Sequence, residues 1–201
     1  MSLIVFVTGA PGTGKSYTAN KIIEKYNNID LVCYDDMKEM FWKKYGFNNN
    51  EEKEKVNKLS LSYFYEQLDI QMSLNKNIIT EYPLYQRHKE KLEALIKKYN
   101  YDAITVLLYG DKHIIYERER KRNKNINRHP SHLVDCYHVD TFDPSVLDNL
   151  KVPTEEEFYK KIENKDYNIN LGFVYKIDVS DYTKIDLKPL LDKIGELLCQ
   201  N

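Results

Sequence analysis

A short segment near the start of the chain combines glycines with a lysine and a serine at a spacing that suits phosphate binding. It fits the pattern GxxxxGK(S/T) at every fixed position and reads Gly9-Ala10-Pro11-Gly12-Thr13-Gly14-Lys15-Ser16. Glycines let the main chain wrap around an anion without Cβ clashes, so that backbone amides and the positive end of the next helix face it. The alternative is an ordinary glycine-rich turn, but the segment lies between an apolar run and a helical pattern, as the motif requires.

The charged and hydroxyl residues of this segment have distinct expected roles. Lys15 would bridge the β- and γ-phosphate oxygens of a nucleoside triphosphate and act in catalysis, and the Ser16 hydroxyl would ligate Mg²⁺. The residues predicted to bind the nucleotide are Gly9, Ala10, Pro11, Gly12, Thr13, Gly14, Lys15, Ser16 and Tyr17. The motif alone does not indicate what happens to the phosphate.

Two acidic residues lie at the carboxyl ends of predicted strands, at the sheet edge where the phosphate segment also lies. Asp35 could accept the proton of an attacking hydroxyl while the γ-phosphoryl group moves in line. The alternative is that Asp35 and Asp36 both cap the helix that begins near Met37; we assign Asp36 to the cap and Asp35 to catalysis. Glu81 would hold Mg²⁺ directly or through water, or it is simply a surface carboxylate at a strand end.

A helix rich in arginine follows the fourth predicted strand. Arg118 and Arg122 lie four residues apart and therefore on one helix face, with Arg128 just beyond. Guanidinium groups that close over a bound nucleotide would neutralise charge on the transferring phosphoryl group. The competing interpretation is a solvated helix stabilised by its own Glu and Arg pairs. We predict a lid over about 112–132 in which all three arginines act in catalysis.

Strands and helices alternate along the sequence that must position these residues. Apolar runs predict strands near 3–7, 31–34, 77–81, 102–109 and 173–179. Amphipathic helical patterns lie between these runs and after the last one. The alternation predicts an α/β fold, a three-layer sandwich with a parallel sheet of about five strands and helices on both faces. We expect one domain over 1–201, with an acceptor-side insertion of short helices and loops at about 133–172.

Aromatic residues cluster in the two helices after the second predicted strand. They would either form a wall of the acceptor site or pack in the core, since their spacing is helical. The residues concerned are Phe41, Trp42, Tyr45 and Phe47, with Tyr63, Phe64 and Tyr65.

The composition disfavours several classes of protein. Lys and Arg total 30 against 31 Asp and Glu, a formal net charge of -1, so the chain lacks the global positive field of a general nucleic-acid binder. Three widely spaced cysteines fit a reducing cytoplasm better than a disulfide framework, and no apolar run approaches the roughly 18 residues of a membrane span. We therefore expect a cytoplasmic protein without a membrane partner. The sequence does not define its oligomeric state.

Four features together resemble one family: segment 9–16, the sequence Asp35-Asp36-Met37-Lys38, the strand ending at Glu81, and the arginine-rich segment that runs into 128–132. They are similar to the P-loop kinase family of small AAA-type kinases, a group similar to zeta toxins, polynucleotide 5′-kinases and the nucleoside-monophosphate kinase fold. The likeness covers residues 1 to about 132 and the last strand and helix. It implies a P-loop NTPase fold, ATP as the nucleotide and Asp35 as the base. Lys38 stands where arginine is common, and Glu81 where aspartate is usual.

The leading hypothesis is a Mg²⁺-dependent kinase that transfers the γ-phosphate of ATP to a hydroxyl of a small molecule, whose identity the sequence leaves open. The second is a nucleotide-dependent regulatory switch that hydrolyses ATP without an acceptor. The third is a polynucleotide 5′-kinase or a toxin that phosphorylates a nucleotide sugar, and the near-zero net charge weighs against the former. No base-reading motif separates ATP from GTP.

Overall fold

The computed structural model describes residues 2–125, 127–150 and 152–199. Its centre is a sheet of five strands in the order β2-β3-β1-β4-β5, and every neighbouring pair is parallel. The strands are β1 (Leu3–Gly9), β2 (Ile29–Cys33), β3 (Asn77–Glu81), β4 (Asp102–Tyr109) and β5 (Phe173–Asp178). The prediction of an α/β fold with a parallel sheet of about five strands is confirmed.

Helices connect the strands and follow the last one. Within the described residues the α-helices are α1 (Lys15–Lys25), α2 (Tyr34–Tyr45), α3 (Asn50–Ser73), α4 (Lys89–Tyr99), α5 (Lys112–Asn123), α6 (Glu155–Glu163) and α7 (Lys188–Cys199). Short 3₁₀ helices lie at Gln86–His88, Pro130–His132, Pro144–Asn149 and Tyr182–Lys184. In this described part of the chain, no helix combines the length and the hydrophobicity that a membrane span needs.

The central strand β1 divides the core into two layers. All seven of its residues are buried, and successive side chains point to opposite faces of the sheet. Ile4 and Phe6 pack into one hydrophobic cluster with residues of α3 and α4. Val5 and Val7 pack into a second cluster with residues of α1 and α7. Burial on both faces explains why β1 is continuously apolar, and it produces the predicted three-layer sandwich.

A third cluster joins α2 and α3 to the chain after the arginine-rich helix. Trp42, Phe47 and Val56 pack there with Val134 and Tyr137. The backbones of Phe47 and Tyr137 exchange two hydrogen bonds, with N···O distances of 2.9 and 2.8 Å. Core packing is therefore the role of Trp42 and Phe47 here and of Phe64 and Tyr65 in the first cluster, and of these four only Trp42 also borders the cavity described below.

The start of α2 differs from the prediction. The second strand ends at Cys33, and Cys33 is the N-cap of a helix that begins at Tyr34. Tyr34 is the first residue of this helix and is only 2% exposed. Because a buried aromatic residue directly after an apolar run is also typical of a strand, the sequence places Tyr34 in the strand. Asp36 is therefore not the cap. Asp35 and Asp36 both lie in the first helical turn, where carboxylates interact favourably with the helix dipole.

Thr105 in β4 fastens the chain that leads into β5. Its hydroxyl donates to the carbonyl oxygen of Leu171 at 2.8 Å and accepts from the backbone N–H of Leu171 at 3.0 Å. Both residues are buried, so neither backbone group of Leu171 can exchange this partner for water.

We expect Thr105→Val to lower the free energy of unfolding by about 2–4 kcal/mol, because the valine keeps the shape of threonine but leaves the two buried groups of Leu171 without partners. Thr105→Ser keeps the hydroxyl, and the loss of one methyl group should cost only about 1 kcal/mol. Urea unfolding of the two variants and the wild type measures this difference. Equal stability of the two variants would contradict the role given to the hydroxyl.

Candidate active site

The phosphate-binding segment forms a tight loop between β1 and α1. Gly14 is the N-cap of α1 with a φ of 85°, and a Cβ atom there would lie 2.1 Å from the hydroxyl oxygen of Tyr182. A Cβ atom on Gly12 would lie 2.4 Å from the carbonyl oxygen of Ile115 in α5. The Tyr182 hydroxyl also donates to the carbonyl oxygen of Thr13 at 3.1 Å. The loop is held between α5 and the 3₁₀ helix Tyr182–Lys184, and only glycine fits at these two positions.

Lys15 is buried at the base of this loop. It is 8% exposed, and its Nζ donates to the carbonyl oxygens of Gly9 at 3.2 Å and Ala10 at 3.1 Å. Burial, followed by the charge of Arg122, lowers the pKa of Lys15 to about 8, while nearby carboxylates, Asp35 first among them, oppose this shift. A desolvated ammonium group among backbone dipoles gains more from a multiply charged anion than a solvated one does.

The two predicted metal ligands lie side by side. Glu81 ends β3 and pairs in the sheet with Val7 of β1 and Cys33 of β2. Ser16 Oγ donates to Glu81 Oε2 at 2.8 Å, and burial raises the pKa of Glu81 although this hydrogen bond opposes the shift. A hydroxyl and a carboxylate oxygen are hard donors of the kind that Mg²⁺ prefers. Among the described residues, no group of three or more His, Cys, Asp or Glu side chains is arranged to hold a metal ion.

Asp35 lies at the cavity in the first turn of α2. Lys38 Nζ is 2.5 Å from Asp35 Oδ1. The same ammonium group lies over three aromatic rings, at 5.2, 5.4 and 5.7 Å from the centroids of Tyr34, Trp42 and Tyr82. Burial alone would raise the pKa of Asp35, but Lys38 and then His132 hold it well below its ordinary value. Asp35 is therefore ionised at neutral pH, and Lys38 fixes its position.

Glu119 of α5 binds two of the predicted arginines. Its Oε2 is 3.3 Å from Arg122 Nε, and its Oε1 is 3.6 Å from Arg128 Nη2. The side chains of Glu119 and Arg128 are 12% and 13% exposed, and Arg128 Nε has no hydrogen-bond partner among the described residues. Sequence reasoning missed the role of Glu119. Its spacing of three residues to Arg122 is a usable signal, but no local spacing connects it to Arg128.

Arg118 occupies a different place from the other two arginines. Its guanidinium group donates to the carbonyl oxygens of Val179 and Ser180, and it stacks on the Tyr182 ring at 4.0 Å from the centroid. The two carbonyl groups lie directly after β5 and accept hydrogen bonds from the guanidinium group of Arg118. Arg118 lies one helical turn before Arg122 in α5. Arg118 therefore contacts the phosphate-binding loop through Tyr182 and, unlike Arg122 and Arg128, does not line the cavity; its predicted role in catalysis stays a prediction.

Tyr17 lies on the outer side of the loop. It is 55% exposed, and its ring centroid is 5.7 Å from that of Tyr182. An exposed ring next to the loop is available to a flat group of a bound molecule, so the prediction that Tyr17 contacts the nucleotide stays a prediction.

One cavity of about 1020 Å³ unites most of these side chains. Lys15, Asp35, Arg122 and Arg128 all line it, together with Lys38. Nine Lys and Arg side chains but only four Asp and Glu side chains border it. The cavity is therefore strongly cationic, although the whole chain has a formal net charge of -1.

The zeta toxin family matches residues 2–171, which include the loop, the arginine-rich helix and the cavity. The chain belongs to the zeta toxin family. No curated protein matched the sequence. The match extends through residues 133–171, which include nearly all of the segment predicted to be an acceptor-side insertion; that assignment stays a prediction.

Solved structures show the same fold. A candidate kinase from Chloroflexus aurantiacus aligns with a TM-score of 0.76 at 17% identity, covering 98% of each chain. The PezAT toxin–antitoxin system of Streptococcus pneumoniae aligns at 0.55 and 14% identity, covering 98% of this chain and 77% of that one. Shikimate kinase from Bacteroides thetaiotaomicron aligns at 0.51 and 14% identity, covering 98% of each. The family and this fold together support a P-loop kinase-like phosphotransferase.

Two lysines that line the cavity, Lys15 and Lys53, have lowered pKa values that can be measured. Like Lys15, Lys53 is desolvated: its Nζ donates to the carbonyl oxygen of Val134 at 2.8 Å, and burial lowers its pKa to about 8. We expect two lysine side chains to titrate near pH 8 in ¹³C NMR of the ε-carbons, rather than near 10.5. Lys15→Arg and Lys53→Arg should each remove one of these transitions. The exposed Lys21 is the internal reference, and titration of every lysine above pH 10 would contradict the burial of both.

Proposed function

We propose that the protein is a kinase that transfers the γ-phosphate of ATP to a hydroxyl group of a small molecule. The observation that carries this proposal is the convergence of Lys15, Asp35, Arg122 and Arg128 on one cavity beside the phosphate-binding loop. The family and the fold support the coarser assignment to P-loop kinase-like phosphotransferases. The donor, the acceptor and the role of each residue below are parts of the proposal.

The loop and Lys15 would bind the phosphates of the donor. The backbone amides of the loop and the N-terminus of α1 provide donors and a positive dipole for the β- and γ-phosphates. Lys15 Nζ would exchange the carbonyl oxygens of Gly9 and Ala10 for phosphate oxygens, and the added negative charge would raise its pKa above about 8. Lys15 is then fully charged when the nucleotide is bound.

Ser16 and Glu81 would hold Mg²⁺ beside the nucleotide. Their oxygens are 2.8 Å apart, and a donor set of one hydroxyl and one carboxylate fits the ion. When bound, Mg²⁺ neutralises charge on the β- and γ-phosphates. Glu81 would contact the ion directly or through water.

Asp35 would accept a hydrogen bond from the acceptor hydroxyl and take its proton as the phosphoryl group moves. Lys38 keeps the carboxylate ionised and fixes its direction. Because a carboxylate with a strongly lowered pKa is a weak base, orientation of the hydroxyl is its larger contribution, and this agrees with a loose transition state in which the proton leaves late.

Arg122 and Arg128 would stabilise the charge on the transferring group. Glu119 holds both side chains next to the loop, and α5 packs so closely there that a Cβ atom on Gly12 would lie 3.3 Å from Glu119 Cβ. The segment 112–132 would thus serve as the lid, with two of its arginines rather than three directed to the phosphates.

The size of the cavity favours a kinase over a switch that only hydrolyses ATP. A volume of about 1020 Å³ is at the upper end of the range of roughly 300–1,000 Å³ for small-molecule sites. A hydrolytic switch has no use for such a space beside the phosphates. We therefore retain a small-molecule acceptor as part of the proposal.

Two further parts of the proposal rest on other grounds. We propose a single domain with an insertion over 133–172. From the three free cysteines we propose a cytoplasmic site of action.

Asp35→Asn should lower kcat by about a hundredfold or more while the affinity for ATP stays near that of the wild type, because the amide keeps the size of the carboxylate but orients the hydroxyl less strongly and cannot take its proton. Release of ADP with the most active acceptor of a metabolite panel gives kcat, and calorimetry gives the affinity. Asp36→Asn changes an exposed neighbour and should have no effect. Lys15→Ala should abolish turnover. Full turnover by Asp35→Asn would refute the catalytic role.

Glu81→Gln should raise the Mg²⁺ concentration required for nucleotide binding by about tenfold or more, because a neutral amide oxygen is a weaker ligand than a carboxylate. A fluorescent ATP analogue titrated with Mg²⁺ provides the measurement. Ser16→Ala should act in the same direction, and Glu24→Gln, an exposed change on α1, is the matched control. An unchanged Mg²⁺ requirement in both site variants would remove the proposed metal ligands.

A further inference from the structure

Part of the cavity wall carries cations that phosphoryl transfer from ATP does not use. Arg87 lies in the 3₁₀ helix after β3, Lys161 lies in α6, and Lys165 follows α6 closely. All three side chains line the same cavity as Lys15 and Asp35. They come from elements other than the phosphate-binding loop and the arginine-rich helix, so they mark a second cationic region.

Tyr85 joins these cations into one region. Lys165 Nζ donates to the Tyr85 hydroxyl at 3.2 Å and lies 5.1 Å from its ring centroid. The Arg87 guanidinium group lies 5.2 Å from the same centroid. Tyr167 packs against Tyr85 with a centroid distance of 5.3 Å. The aromatic pair thus forms a rigid support that keeps two cations near each other despite their repulsion.

These three cations have no carboxylate partner at ion-pairing distance in the described part of the chain. Among the described residues no Asp or Glu forms an ion pair with Arg87, Lys161 or Lys165. Asp166 also lines the cavity, but its Oδ1 accepts from the backbone N–H of Asn168 at 2.9 Å. Partial desolvation and then the charge of Lys165 lower the pKa of Lys161, while Glu119 opposes this shift, so like charges held close together outweigh the nearest carboxylate.

We propose that Arg87, Lys161 and Lys165 form a second anion site, which binds a phosphate group carried by the acceptor. This rests on the proposed function, because it identifies the class of acceptor: a hydroxyl compound that is already a phosphate ester. A phosphate monoester has a charge of about -1.5 to -2 and three acceptor oxygens, so it matches three cations better than a single carboxylate does. The arrangement would hold the acceptor by its phosphate and direct a hydroxyl to Asp35.

Calorimetry can test the site without any phosphoryl transfer. The full chain is saturated with Mg²⁺ and a non-hydrolysable ATP analogue, so that the phosphate-binding loop is filled. It is then titrated with inorganic phosphate, ribose 5-phosphate and glycerol 3-phosphate, with ribose and glycerol as neutral counterparts and glycerate as the carboxylate counterpart. We expect at least one ester to bind about tenfold or more tightly than its neutral counterpart and more tightly than glycerate.

Variants of the lysines identify the location. Lys161→Ala and Lys165→Ala should each weaken binding of the ester by about tenfold, and Lys161→Arg should retain most of it. Lys160→Ala is the matched control, because Lys160 pairs with Glu156 on the outer face of α6 and does not line the cavity. Ester binding should persist in Lys15→Ala, which shows that the phosphate-binding loop is not its site.

Three results would overturn the proposal: no binding of inorganic phosphate or either ester, equal affinity for ester and neutral counterpart, or unchanged ester affinity in the double variant of Lys161 and Lys165. Tighter binding of a single-stranded oligonucleotide than of any small ester would also overturn it. The same experiments distinguish failure of this second site from failure of the kinase proposal. Loss of ester binding with intact ATP turnover refutes only the second anion site, whereas ester binding in a chain that never turns over ATP refutes only the kinase.

Discussion

The site depends on the balance between desolvated cations and the carboxylates packed around them. Lys15 is nearly buried and would be costly to charge without Asp35 and Glu81 beside it. Each carboxylate has its own partner: Lys38 for Asp35, the Ser16 hydroxyl for Glu81. The cluster therefore behaves as a unit in which the loss of one charge shifts the pKa of the others. In the proposed reaction, a multiply charged phosphate that enters this region would meet groups that are already oriented, and this would limit the reorganisation that transfer requires.

The parallel sheet is what assembles that balance from distant parts of the chain. In parallel strands the carboxyl ends meet at one edge, and the register pairs Val7 and Cys33 with opposite sides of Glu81. The loop after β1, the first turn of α2 and the end of β3 are thereby adjacent, although they are separated by many residues in the sequence. The glycines of the loop then let α5 approach closely enough for Glu119 to hold two arginines at the same place.

The cavity has two regions with different electrostatic character. Near the loop, carboxylates offset the cations; near Tyr85, Arg87 and Lys165 have no acidic partner in the described part of the chain. The second region depends on α6 and the chain that follows, and the third hydrophobic cluster anchors the preceding part of this segment to α2 and α3. The family match extends through residue 171 and therefore includes most of this segment.

The sequence by itself determined the phosphate-binding loop, the parallel sheet and the positions of Lys15, Ser16 and Glu81, because these follow from local spacing and from continuous apolar runs. The sequence could not show that Arg118 and Arg122 have different partners. Both share a helix face, but only the tertiary structure provides the carbonyl groups after β5 that take up Arg118. It also assigned the helix cap to Asp36, since a buried tyrosine at the helix start resembles a strand residue. The partners of Glu119 and the cations around Tyr85 come from elements far apart in the chain, and only packing brings such residues together.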